Sequence, residues 1–186
     1  MKATQQLIFI IILFALFNCS HPVTDQKLQK LDDGRPTWTS YRSGAYKQET
    51  LVFYGVGTAK DIPNKVLLRI TSSNRAEANL VHVLEIFIGK IRNAYMTALE
   101  QKKNGASMKW QHVGPIFRNM LNVVDRKKIQ QELFWIDPSD GTGYALASFK
   151  LEDFLKRFAT KQEFSSEFQT FVIKHAEQIF LEMANE

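Results

Sequence analysis

Apolar and polar positions alternate along this chain with several distinct periods. Leu7 to Phe17 is an unbroken apolar run of eleven residues that closes in Leu16-Phe17-Asn18-Cys19-Ser20. A bilayer-spanning helix needs roughly 20 apolar residues. The run has instead the length of the h-region of a secretory signal peptide. From Ser20 to about Arg35, Lys, Asp, His and Pro dominate and no period is visible, which predicts a flexible tether. Leu51 to Gly57 is short and β-rich and reads as a strand. Its two glycines share one face, which predicts close approach by another element.

A long helical stretch follows, to about Lys103. Asp61 is its expected cap and Pro63 lies in its first turn. Ala76, Leu80, Val83, Phe87, Ile91, Ala94 and Ala98 recur at three- and four-residue steps, one stripe facing a core. Asn104-Gly105 is the expected C-cap. Gly114-Pro115 opens a second predicted helix through Ile116, Met120 and Val124. Ile129, Leu133 and Trp135 alternate with Gln130 and Glu132 as a strand, and Asp137 to Gly141 is a turn. Tyr144 to Phe149 returns, and Leu151 to Phe158 forms a short amphipathic helix. Thr160-x-x-Glu163 and Ser166-x-x-Gln169 both fit the capping box of a last helix. The expected stripe of that helix is Phe164, Phe168, Phe171, His175, Ile179 and Met183. The order β-α-α-β-β-α-α predicts an α+β two-layer sandwich, with a small, mostly antiparallel sheet packed by long helices.

The 186 residues hold a single cysteine and a formal charge of +5. The cysteine count excludes an intramolecular disulfide and a zinc site built on several cysteines. Leu16-x-x-Cys19 resembles a bacterial lipobox, whose cysteine is acylated and becomes the new N-terminus. An uncleaved anchor and ordinary signal cleavage are the alternatives. Both leave a free thiol in an oxidising compartment. The reading is a lipoprotein signal peptide at 1–18, a lipidated N-terminus (Cys19) and tether at 19–35, and a folded domain at 36–186 ending in an amphipathic helix.

Catalytic patterns fail one by one. Gly55-x-Gly57-x-x-Lys60 lacks the third glycine of a dinucleotide fingerprint and the Gly-Lys-Ser/Thr of a P-loop. Asp137, Asp140 and Gly141 do not match the register of a calcium loop. His21, His82, His112 and His175 form no metal-binding pair. His82 and His175 are expected as packed or boundary residues. Glu77 and Glu85 are expected toward solvent or a partner. No nucleophile elbow is present. Lys102-Lys103 and Arg126-Lys127-Lys128 are short basic clusters without a nucleic-acid motif. The expectation is no enzyme activity, no cofactor, no metal and no nucleic-acid partner. Trp38 and Trp135 are the binding candidates, because exposed aromatics concentrate at interface hot spots. Burial would instead place them in the core.

Four segments resemble the LPP-twenty lipoprotein family, which includes the N-terminal module of flagellar assembly protein T. They are Pro36-Thr37-Trp38, Phe53 to Ala59, Asn74 to Leu80, and Trp135 through Gly141 to Leu146. The likeness spans about residues 36 to 158. It implies a small α+β domain on an envelope lipoprotein, often at the outer membrane, with no known catalytic residues. The expected function is a lipid-anchored, non-catalytic interaction module facing the periplasm or surface, with an envelope or flagellar protein as partner. A lipid-anchored regulator of a cell-wall synthesis enzyme is the alternative.

Overall fold

The computed structural model describes residues 30–102, 120, 122, 124 and 129–186. Strand β1 (Gly44–Lys47) and strand β2 (Leu51–Ala59) form a hairpin. Helix α1 (Lys65–Lys102) follows, then β3 (Gln130–Ile136), β4 (Gly143–Lys150), helix α2 (Leu151–Ala159) and helix α3 (Ser166–Ala184). The four strands form one sheet in the order β1-β2-β4-β3, antiparallel throughout. The helices cover one face, so the architecture is α+β in two layers, as the patterning predicts.

Strand β1 has no counterpart in the sequence reading, since Gly44-Ala45-Tyr46-Lys47 is too short and too mixed to show a period. Of the helix expected from Gly114, Met120 is helical and buried in the core and Val124 packs against it, while the rest of that helix and the cap at Asn104-Gly105 lie outside the described residues. Residues 30–35, placed in the expected tether, carry hydrogen-bonded backbone. Lys30 bridges to Pro36, and Leu31 N–H donates to the Arg35 carbonyl at 2.7 Å.

Two caps differ from expectation. Asn64, not Asp61, caps α1, since its Oδ1 accepts from the amides of Val66 and Leu67 at 3.0 and 3.1 Å. Asp61 sits instead in the left-handed region at φ 61°. Ser165, one residue before the expected capping box, accepts from the Phe168 amide and starts α3.

The main core lies between the sheet and the helices. Register puts Phe53 opposite Phe149, Gly55 opposite Ala147 and Gly57 opposite Ala145, all on the helix-facing side. Phe53 meets Phe87 of α1 and Phe180 of α3 at ring distances of 5.0 and 4.7 Å. Phe154, Phe158, Phe164 and Phe168 continue the aromatic packing under α2 and α3. The two glycines of β2 do what their shared face predicts. A Cβ on Gly55 would lie 2.2 Å from the Ala76 carbonyl oxygen, and one on Gly57 2.2 Å from the Ser72 carbonyl oxygen. Helix α1 therefore rests directly on the β2 backbone.

Strand β1 runs alongside β2 only from Leu51 to Tyr54. Beyond Tyr54 the β2 edge has no strand partner among the described residues, a template for unwanted pairing. Side chains fill it. Ser43 Oγ accepts from the Val56 amide at 2.9 Å. Asn79 Nδ2 donates to the Val56 carbonyl at 2.7 Å, and Arg75 Nη1 to the Thr58 carbonyl at 2.6 Å.

Candidate functional site

The face of the sheet away from the helices carries the second hydrophobic cluster. A 3-10 turn at Thr37–Ser40 lays Trp38 across it. The turn is held by Thr39 N–H and Oγ1, both donating to the Pro36 carbonyl, at 3.0 and 2.7 Å. Trp38 is 2% exposed and packs with Val52, Tyr54 and Leu146. It takes the core reading, and its indole is not available as a docking surface.

Half-buried side chains ring this cluster: Tyr41, Tyr46, Val56, Leu133, Trp135 and Tyr144. On the β1 side, Tyr41 stacks on Tyr46 at 5.3 Å, and both contact Tyr54. The Tyr46 hydroxyl accepts from the Arg42 amide at 3.0 Å and donates to the Arg42 carbonyl at 2.9 Å. The Tyr54 hydroxyl donates to Gln48 Oε1 at 3.1 Å. Burial, and then the neighbouring Tyr46, push the Tyr41 phenol above its usual pKa and keep it neutral. On the β3 side, Trp135 lies 5.7 Å from Tyr144. The two expected tryptophans thus share one face and one cluster, but differ in role. Trp38 closes the interior and Trp135 stays half-buried at the surface. The tyrosines were not singled out in the sequence. Their signal is the alternation that places Tyr46, Tyr54 and Tyr144 on the same side as Trp135.

Perturbed ionisable groups occur in exposed ion pairs. Asp140 is lowered to about 2, first by the Thr142 amide and then by Lys60, whose Nζ lies 3.0 Å away. Asp33 is lowered by the backbone and guanidinium of Arg35, and Glu152 by Lys156. Asp137 Oδ1 accepts from the amide and hydroxyl of Ser139. Both aspartates of the expected turn thus serve the turn, and Gly141 takes the left-handed conformation at φ 75°. Lys60, the third member of the glycine-rich pattern, closes that turn rather than facing a phosphate.

His82 departs from expectation. Its side chain is exposed and sits 3.5 Å from Glu85 on the outer face of α1. His175 is half-buried against Phe171 at 4.4 Å, the expected boundary position. His21, His112 and Cys19 lie outside the described residues. Among the described residues, no three His, Cys, Asp or Glu side chains gather to hold a metal ion, and no helix is long and apolar enough to cross a membrane.

A comparison with known protein families finds none whose profile matches the chain, and a comparison with curated proteins finds no relative.

Proposed function

We propose that this chain is a lipid-anchored envelope lipoprotein whose α+β domain is a non-catalytic interaction module. The observation that carries the reading is the placement of the single cysteine. Cys19 stands at the end of an eleven-residue apolar run, in Leu16-x-x-Cys19, ahead of the folded domain. Several acyl chains on one residue anchor a protein firmly, each buried CH2 contributing about 0.8 kcal/mol. An outer-membrane address and kinship with the LPP-twenty lipoproteins belong to the same proposal.

The interaction role is supported by the sheet face opposite the helices. Tyr41, Tyr46, Tyr144 and Trp135 leave part of their rings at the surface over a firmly packed floor. Rigid aromatic rings lose little conformational entropy on binding and dominate interface energetics. Trp135 is the central contact residue of the proposal.

The anchor is tested by Cys19→Ala. The variant leaves the membrane fraction, and the N-terminal peptide of the wild type carries the mass of acyl chains. Retention of the variant at the wild-type level, or an unmodified peptide, removes the lipoprotein reading. The face is tested by a photo-cross-linker placed at Trp135 and, as control, at exposed Asn74 on α1. A discrete adduct in intact cells from 135 and none from 74 is expected. Equal labelling at both positions counts against the face.

A further inference from the structure

Helix α1 carries an apolar surface that the fold does not use. Val66, Leu67 and Ile70 are 69%, 52% and 50% exposed, within two turns of the helix start. Eighteen residues make five turns of an α-helix. Val66 and Ile70 therefore lie at the same angular positions as Leu84 and Ile88, which are buried in the core. The same flank is apolar at both ends of this span, covered at Leu84 and Ile88 and bare at Val66 and Ile70, with Ser73 and Glu77 between them.

The bare half lies at one end of the sheet. Ala59 pairs with Gly143 at this end, and Leu68 packs on Gly143. Lys60 pairs with Asp140 in the same turn. Lys102 and Gln130, where the chain leaves and rejoins the described fold, are at the far end, since Gln130 pairs with Ser148. Residues 62–76 contain Lys65, Arg69 and Arg75 and no Asp or Glu, and the first turn of α1 has no acidic residue. Arg69 lies over the Phe134 ring at 5.5 Å, beside the bare flank.

We infer that the first two turns of α1 dock on the surface of an anionic bilayer, with Val66, Leu67 and Ile70 entering the headgroup boundary and Lys65 and Arg69 facing lipid phosphates. The inference rests on the lipid anchor proposed above. Residues 20–30 reach at most about 40 Å when fully extended, which keeps the domain within that distance of the membrane. Apolar side chains flanked by cations on a helix are the composition of an interfacial segment. A docked α1 end turns the aromatic sheet face and the α3 end sideways, where a partner can reach them.

The full lipidated chain is reconstituted into vesicles of phosphatidylcholine with phosphatidylglycerol. An environment-sensitive fluorophore is placed through Leu67→Cys or, as control, Glu85→Cys, five turns along the same helix. Lipids carrying a quencher in their acyl chains are included. The expected result is a blue-shifted emission at 67, quenched several-fold more than at 85. That difference falls toward the control in pure phosphatidylcholine and in Lys65→Glu/Arg69→Glu. Equal quenching at the two positions overturns the inference. A blue shift at 67 without lipid quenching overturns it too, in favour of a second copy or a protein on the flank. The mass of the N-terminal peptide is read on the same sample. An unacylated Cys19 refutes the anchor separately, while the contrast between 67 and 85 still reports on docking, since the N-terminal segment is common to both variants.

Discussion

Replacing Gly57 by Ala adds one methyl group where α1 leaves no room for it. A Cβ at this position would lie 2.2 Å from the Ala76 amide nitrogen, 2.2 Å from the Ser72 carbonyl oxygen and 2.9 Å from the Ala76 Cα. All three are backbone atoms, so no rotamer change relieves the overlap. Carbon contacts settle at about 3.5–4.0 Å, so the helix must retreat by more than about 1 Å. That retreat loosens the contacts of Ala76 and Leu80 with β2. It also stretches the bonds from Arg75 and Asn79 to the Thr58 and Val56 carbonyls. Overpacking costs about 1–3 kcal/mol, and each bond lost adds about 1 kcal/mol. The expected loss is therefore about 3–5 kcal/mol. Gly89, in the middle of α1, provides the opposite case, since a Cβ there meets nothing within 4 Å. In a helix interior Gly→Ala gains about 0.5–1 kcal/mol. One chemical change thus carries opposite signs at two positions. Urea denaturation read by near-UV circular dichroism measures both. With a slope of roughly 2 kcal/mol per molar, the midpoint falls by about 1.5–2.5 M for Gly57→Ala and rises by about 0.3–0.5 M for Gly89→Ala. A Gly57→Ala midpoint at or above that of the wild type would refute the direct seating of α1 on the β2 backbone.

Three further outcomes are expected. Asp140 has a pKa lowered to about 2 from an ordinary 3.8. Its contribution to the β3–β4 turn is therefore complete above the ordinary value and lost as the pH falls through about 2. The carboxyl shift followed by NMR should titrate there in the wild type and move upward in Lys60→Met. Arg75→Ala combined with Asn79→Ala uncovers the β2 edge and costs about 2 kcal/mol in total. Sedimentation should show concentration-dependent association beyond that of the wild type, and unchanged sedimentation would count against the edge argument. Trp38→Ala removes a buried ring and costs about 3–5 kcal/mol, whereas Trp135→Ala costs roughly 1 kcal/mol. Equal losses in thermal or urea denaturation would mean that the two indoles share one role.

The parts of the fold visible in the sequence are those whose period is set by one dominant contact. The stripe from Ala76 to Ile91 faces the sheet, so it repeats cleanly. The stripe of α3 is less simple. Phe171, His175 and Met183 were expected in it beside Phe168 and Ile179, yet the buried line runs through Phe168, Val172, Ala176, Ile179 and Phe180. Helix α3 packs on both α1 and β1, and the small Ala176 sits on the buried line while the larger Phe171 and His175 stay on its margin. Strand β1 was invisible because its stability comes from pairing with β2, a contact that four mixed residues do not announce. His82 was expected among packed residues because Leu80, Val81, Val83 and Leu84 surround it in sequence. The helical turn instead carries it to the outer face. Val66, Leu67 and Ile70 were read as part of the long helix, and their exposure depends on where the other elements end.

Two segments read as motifs in the sequence turn out to be halves of one contact. Phe53 to Ala59 supplies the glycines and the bare edge. Asn74 to Leu80 supplies Ala76, which rests against those glycines, and Arg75 and Asn79, which fill that edge. A methyl group on either glycine, or the loss of either donor, disturbs the same joint. Such a pair of motifs is required by backbone geometry and involves no ligand, so it speaks for a fold and leaves activity open. In the function proposed above, the working surfaces are ones that this joint holds in place without constraining their chemistry. On this chain those are the aromatic face around Trp135 and the bare apolar flank at the start of α1. Both can change residue by residue while Gly55, Gly57 and Ala76 stay fixed.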